Sequence, residues 1–506
     1  TISYNTLASV GDEFTWYTKA LNTSLLVAGT NVLAVEMHQS GVTSSDLSFD
    51  LALKATSGQT VVTNGVPLNP GINRIRVQTL EGPNGSGNTL VEEYIDVWYD
   101  DGTESVLSGS LAANTLLDAA SGPWHITANV VVPAGITLTI EPGTTLFFDA
   151  GTSLTVNTGG RLLAEGTEFE PIRFTQTPGS AAAWNGVQFS STIEDNRITY
   201  AILEYGEIAT GMISVVNSNL LVDHVFLDHS GLYRIKSSNS SLIVRNSVFT
   251  DMFEPDEAPL TDNSSEQLGG TGIMAGGHVI IENNLFGSTH GHNDVIDFSG
   301  PVLPGPILQI LNNTFTGGGD ECLDLGGDAH IEGNRFMHIH KDVFNTGTGD
   351  SNAISTGDNL SGQTAQVTVV RNIFYDVDHA INLKKDTYMF FENNTVLDVA
   401  EGGSAIKFLI PSRDPQGKGA YIDGCIFWNL SRVFEYVDVS EPYDPLFTTD
   451  LVMNRSLISP DCCSEVPGTR PYTILDLGVG NLCGDPRLAD PVNYDFSLLS
   501  GSPALG

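Results

Sequence analysis

The chain has 506 residues, with 22 Lys plus Arg against 60 Asp plus Glu and a formal net charge of −38. That length exceeds one ordinary hydrophobic core and implies several domains or a repeat array. The charge would repel nucleic acid and anionic lipid, which excludes both as partners, and no apolar run is long enough for membrane insertion. An acidic surface of this kind fits a protein secreted to the extracellular space or cell surface.

Residues 1–55 read as short strands, SLLVAGTNVLAVEMHQS and DLSFDLALKA, with polar and apolar residues alternating in VLAVEM and LSFDLAL. The stretch resembles the second half of a jelly-roll module found in large secreted bacterial proteins, so the chain is expected to be a piece of such a protein. Its opening TISYNTLASV has neither the basic start nor the apolar core of a signal peptide. Residues 56–112 form a second small β unit, whose alternating strands and Asn-Gly and Pro-Gly turns resemble an immunoglobulin-like module.

From residue 113 to 506 the strands shorten to four to six residues broken by Pro-Gly, Ala-Gly and Gly-Gly. A repeat then becomes explicit in HVFLD, NSVFTD, IENNLFG, LNNTFTG, IEGNRFMH, RNIFYD, ENNTVLD and DGCIFWN. It predicts an inward stack of Phe226, Phe249, Phe286, Phe315, Phe336, Phe374, Val396 and Phe427. Two positions earlier runs a ladder of Asn284, Asn313, Asn334, Asn372 and Asn394, ending at Cys425. Stacked Asn amides can bond to one another and to the backbone groups that a turn leaves unpaired. A period slightly above twenty residues means a solenoid, and this region resembles bacterial right-handed parallel β-helices. The predicted fold is therefore all-β: a right-handed parallel β-helix preceded by two small β-sandwich-type modules.

The richest stretch runs from His290 to Lys385. Asp297, Asp324, Asn345, Asn382 and Lys407 align in one column, mostly flanked by apolar residues such as Ile296 and Phe298 or Leu323 and Leu325. That pattern predicts outward-facing positions on successive strands. Asp294, Asp320 and Glu321 stand beside this column. Two carboxylates about 5 Å apart repel by roughly 3 kcal/mol at an effective dielectric of about 20. Such groups must share protons, forming a general acid and base, or hold a cation. The plain alternative is a solvated acidic face. His290, His292, His338, His340 and His379 gather in the same rungs, either as transition-metal ligands or as turn histidines bonded to backbone. The five cysteines make neither a zinc pattern nor a disulfide framework. A link from Cys462 or Cys463 to Cys483 is left open, and Cys322 and Cys425 read as buried thiols.

The order Asn293-Asp294-x-x-Asp297, Asp320-Glu321-Cys322-Leu323 and His340 resembles that of polygalacturonases. The resemblance implies Asp294 with Asp320 or Glu321 as the acid and base of an inverting hydrolysis, and His340 as assistant. The glycines around His340 in that family are absent, and the chain's one Arg-Ile-Lys run, Arg234-Ile235-Lys236, comes too early. The same residues also resemble the Asp cluster of calcium-dependent β-helix pectate lyases. That implies calcium on Asp297, Asp320, Glu321 and Asp324, with Lys341 or Lys384 as base. The expected function is cleavage of a polysaccharide or other extracellular glycan by one of these mechanisms. The alternative is a non-catalytic surface or matrix protein that binds calcium and glycans or self-assembles.

Overall fold

In the computed structural model the described residues are 68, 71–82, 86–99, 102–252, 265–345, 350–357, 364–408, 417–436, 449–463 and 473–505. They belong to one unit, Leu68–Gly506. The jelly-roll-like module expected at 1–55 lies outside them. Of the second expected module, Gly71–Gly82 pairs antiparallel with Ser86–Tyr99. Ser105–Ser110 already pairs in parallel with Trp124–Val132 and so forms the first rung of a parallel coil.

From there the chain winds as a parallel β-helix with three faces. Face A stacks strands such as Val279–Glu282, Leu308–Leu311, Ala329–Glu332 and Gln366–Val370. Face B stacks Leu285–Phe286, Thr314–Phe315, Arg335–Ile339 and the first half of Ile373–Leu383. Face C stacks Leu268–Ile273, Ile296–Ser299, Glu321–Gly326, Asn352–Gly357 and the second half of Ile373–Leu383. Every one of these pairings is parallel and in register, so a residue lies about 4.8 Å from its counterpart one turn away. No helix among the described residues is long and apolar enough to cross a membrane.

The sharp corner between faces A and B explains the Asn ladder. The residue before each ladder position has positive φ, at Asn246, Asn283, Asn312, Gly333, Arg371, Asn393, Gly424 and Arg455. Asn and Gly tolerate that left-handed conformation best. The turn strands a backbone N–H, and the next rung's Asn side chain accepts it. Asn284 N–H donates to Asn313 Oδ1 at 2.9 Å, Asn313 to Asn334 at 2.8 Å, Asn334 to Asn372 at 2.8 Å and Asn372 to Asn394 at 2.9 Å. Each Nδ2 then donates to a face A carbonyl, as Asn334 does to Ile310 at 2.8 Å. The ladder runs further than the repeated Asn implied. Ser247 precedes it, and Cys425, Ser456 and Asn481 extend it.

Inside face B, Phe249, Phe286, Phe315, Phe336 and Phe374 stack with ring centroids 4.4 to 5.0 Å apart. Phe226 does not join them. It pairs with Val248, and Leu227 takes the inward place in line with Phe249. The repeat frame slips by one residue there, and in a strand one residue exchanges inside for outside. Downstream, Cys463 and Cys483 form a disulfide, while Cys322, Cys425 and Cys462 are buried thiols. The closing segment departs from the parallel coil and folds as an antiparallel pair, Leu488–Asp490 with Asp495–Leu498.

Replacing Asn334 with Ala would leave the Asn313 N–H and the Ile310 carbonyl without their Asn334 partner in a buried corner, while Asn372 Oδ1 keeps the backbone N–H of residue 334. At about 1–3 kcal/mol for each stranded group, the expected loss is at least about 2 kcal/mol in denaturant unfolding. Glu141→Ala, at an exposed turn, is expected to cost under about 1 kcal/mol and is the control.

Candidate active site

Strict alternation would send residues i and i+3 of a strand to opposite sides. Face C breaks that rule at its start, because two consecutive residues turn inward on each rung: Gln267 and Leu268, Val295 and Ile296, Cys322 and Leu323, Ala353 and Ile354, Ala380 and Ile381. The polar residues on either side of each doublet therefore both project outward, giving two columns rather than one. The first is Lys236, Gly269, Asp297, Asp324, Ser355, Asn382 and Lys407. The second contains Glu266, Asp294, Glu321, Asn352, His379 and Ser404, placed by the same registers. Asn345 is not in the first column, where Ser355 takes its place. It sits in a turn and donates from Nδ2 to Asp320 Oδ1 at 2.9 Å.

Parallel stacking thus crowds acidic side chains together. Oxygens of Asp294, Asp320 and Glu321 all lie within 4.8 Å of one another. Glu321 N–H donates to Asp294 Oδ1 at 3.0 Å, and the Asp320 carbonyl accepts from the Ser351 hydroxyl. Burial, with Asp324 the next cause, pushes the Glu321 carboxyl up to about 8, against the opposing charge of Lys384. Burial and then Glu321 hold Asp294 well above the usual carboxylate range. Burial and Asp324 raise Asp297 to about 6, with Lys236 and Lys384 opposing. A buried carboxyl absent from the sequence-based set, Glu266, is pushed up to about 8 by burial and by Asp297.

Gly269 makes room for Glu266's surroundings. A Cβ there would lie 2.4 Å from the Tyr233 ring and 3.0 Å from Glu266 Oε2. Tyr233 fills that space, its phenol raised by burial and by Glu266, and Lys236 Nζ sits 3.8 Å from the ring centroid. The inward doublet and the i, i+3 polar pair around it, as in Glu266 and Gly269 or Asp294 and Asp297, were the signal that would have found Glu266.

The remaining sequence candidates divide. Lys384 reaches the cluster, with Nζ 3.7 Å from Asp324 Oδ1. Burial opposes its charge, but Asp324, Glu321, Asp294 and Asp320 outweigh that and hold the ammonium above its ordinary range. It is thus a counter-charge and a poor proton acceptor. Lys341 follows a face B strand, and its backbone N–H donates to Asp378. His340 pairs with Asp378 at 2.8 Å and Asp376 at 3.1 Å. Its hydrogen bond to Asp378 raises it to about 9 despite burial. Neighbouring His338 bonds Asp376 and the Tyr494 hydroxyl. These two histidines are carboxylate-paired rather than gathered around a common metal position. His379 is fully buried, between Ser404 at 3.0 Å and Asp350 at 3.2 Å.

No family model and no curated protein matches the chain. Solved structures with some similarity are polysaccharide-degrading enzymes. The catalytic domain of a GH87 alpha-1,3-glucanase bound to tetrasaccharides is 11% identical, with 77% of this chain and 72% of that one covered and a TM-score of 0.41. A mannuronic acid specific polysaccharide family 6 lyase from human gut microbiota is 12% identical over 70% of this chain and 84% of that one, at 0.38. An alginate lyase from Paenibacillus is 11% identical over 70% and 92%, at 0.24. With scores this low, the functional reading stands on the site's own geometry.

The raised carboxyls make stability depend on pH with a defined sign. Glu266 and Glu321 rise from 4.5 to about 8, so between these values the folded chain binds more protons than the unfolded one. Their contribution is fully present below pH 4.5 and is lost as pH rises toward 8. Wild-type stability should fall across that window. Glu266→Gln, which mimics the protonated form, should show a shallower fall in denaturant titrations at pH 5, 6.5 and 8.

Proposed function

We propose that this chain is an extracellular glycan hydrolase whose acid and base are drawn from Asp294, Asp320 and Glu321. The observation that carries this reading is the convergence of these three carboxyls on an outward face, where burial and neighbouring carboxyls raise Asp294 well above its usual range and Glu321 to about 8. Crowded carboxyls with displaced titration are what general acid and base catalysis requires.

Glu321 is the proton donor. It gives its proton to the glycosidic oxygen as the bond from that oxygen to the anomeric carbon breaks. Asp320, oriented by Asn345 and with an oxygen within 4.8 Å of one of Glu321's, attacks the anomeric carbon as that bond breaks. Water that gives a proton to Glu321 then displaces it, the double displacement that carboxyls about 5 Å apart allow. Asp294 accepts the Glu321 backbone N–H and keeps that strand start in place, and Lys384 neutralises Asp324. The Cys463–Cys483 disulfide supports an oxidising, extracellular location.

A second reading, calcium-assisted lysis, is favoured by the same convergence, since carboxylate oxygens suit a hard cation. Asp294, Asp320 and Glu321 would hold the ion. Asp297 and Asp324, also expected as ligands, lie outside the converging set. Of the two lysines expected as its base, Lys384 is held charged, and Lys341 follows the face B strand Arg335–Ile339. A scaffold role gives no account of carboxyls kept protonated at a cost to stability.

Glu321→Gln is expected to lower kcat by about a hundredfold or more on the chain's glycan with no loss of stability in denaturant unfolding at neutral pH. Products should be reducing ends without unsaturated-uronate absorbance, and chelator should not alter the rate. Absorbing products formed only with calcium would overturn the hydrolase in favour of the lyase.

A further inference from the structure

The unpartnered polar atoms of face C describe the ligand. Among the described residues, Glu266 Oε2, Asn352 Oδ1, Ser355 Oγ and Asn382 Oδ1 are buried without a hydrogen-bond partner, as is Glu435 Oε2, which has ion-pair contacts with His379 at 3.7 Å and Arg432 at 3.9 Å. All lie on the two outward columns, Glu435 being the next member after Lys407. These side chains are not frayed surface groups: Glu266, Asn352, Ser355 and Asn382 are 3%, 2%, 0% and 6% exposed. A buried polar group without a partner costs stability, so a row of them on one face calls for an external partner.

Their chemistry is one-sided. The amide oxygens of Asn352 and Asn382 only accept, while the Ser355 hydroxyl and the protonated Glu266 carboxyl can do either. The amide nitrogen of Asn352 is already spent on Glu321 Oε1 and the Asp350 carbonyl. What is missing is therefore a set of donors. A carboxylate, sulfate or phosphate only accepts and cannot complete the amide oxygens of Asn352 and Asn382.

Charge points the same way. The acidic end carries Glu266, Asp294, Asp297, Asp320, Glu321 and Asp324, and the ammonium groups that approach it are already engaged. Lys236 lies over the Tyr233 ring and Lys384 beside Asp324. One rung on from Asn382, Lys407 is 3.4 Å from His379 Nε2 and 3.9 Å from Asp350. An anionic sugar placed over this end would meet like charge in a poorly solvated site.

We propose that face C binds a glycan whose contacting groups are hydroxyl or amine donors and which carries no acid groups there. This rests on the hydrolase reading and narrows its substrate to uncharged or amine-bearing polysaccharides. Asn352, Ser355 and Asn382 accept from the sugar next to the cleavage point, and Glu266 from the sugar on the other side.

The test uses the full chain carrying Glu321→Gln, which keeps the neutral form of that carboxyl while blocking proton donation. Binding is measured by calorimetry at low salt with chelator, to dextran and mixed-linkage glucan oligomers, chitosan oligomers, and oligogalacturonate and alginate oligomers. Uncharged or amine-bearing oligomers are expected to bind, the two arms separating hydroxyl from amine recognition, and the acidic oligomers not to. Adding Asn382→Leu should weaken that binding about tenfold, while the melting temperature holds or rises because an orphaned buried acceptor has been removed. Binding confined to the acidic oligomers, or to none of the panel, overturns the proposal. So does unchanged affinity with a lowered melting temperature in Asn382→Leu, which would make these oxygens part of the internal framework. Binding of uncharged oligomers that the wild type does not cut leaves the inference standing and removes the hydrolase. Cutting of acidic oligomers alone does the reverse.

Discussion

The structure depends on the parallel hydrogen-bonded register between successive turns. Because every rung repeats its neighbour at about 4.8 Å, like residues meet like residues along each column. Where that juxtaposition is favourable the chain exploits it. The Asn corner ladder satisfies N–H groups that a sharp turn strands, and the Phe rings of face B lie nearly parallel at 5–24°. The register that stabilises the framework is also a constraint, since no column residue can avoid the one above it.

On face C the same register works against stability. Asp297 is paired in register with Asp324, and Asp294 falls opposite Glu321. Half-buried carboxyls stacked in this way cannot all stay ionised, and protons become part of the folded state. Lys384 offsets part of the repulsion without removing it. A framework built from amide ladders and apolar stacks has enough cohesion to carry such a region, which fits the general pattern of strain and unpaired polarity gathering at functional sites.

The inward doublet at the start of face C links backbone to chemistry. A plain strand would expose every second residue and give a single polar column. Two adjacent inward residues per rung bend the strand and turn a second column outward, so the polar face doubles in width. The cluster of Asp294, Asp320 and Glu321 exists because of that bend. The Gly269 gap, filled by Tyr233 beside Glu266, extends the same face one rung further.

By itself the sequence determined the solenoid, the Asn ladder, most of the Phe stack and the pairing of Asp297 with Asp324, because these features repeat and repetition is legible in one dimension. It also marked Asp294, Asp320 and Glu321 as neighbours, through their closeness in the chain and in the repeat. Only the tertiary structure decided which oxygens converge, that Lys384 is tied to Asp324 as a charged partner, and that His340 turns to Asp376 and Asp378. It also replaced Asn345 by Ser355, since the strand Asn352–Gly357 hides in a Gly- and Ser-rich stretch, and it moved Phe226 out of the stack. The physical reason is common to these cases. Registers across loops of unequal length, a one-residue slip at a corner and the bend of a strand alter which side chains meet without altering the pattern of residues along the chain.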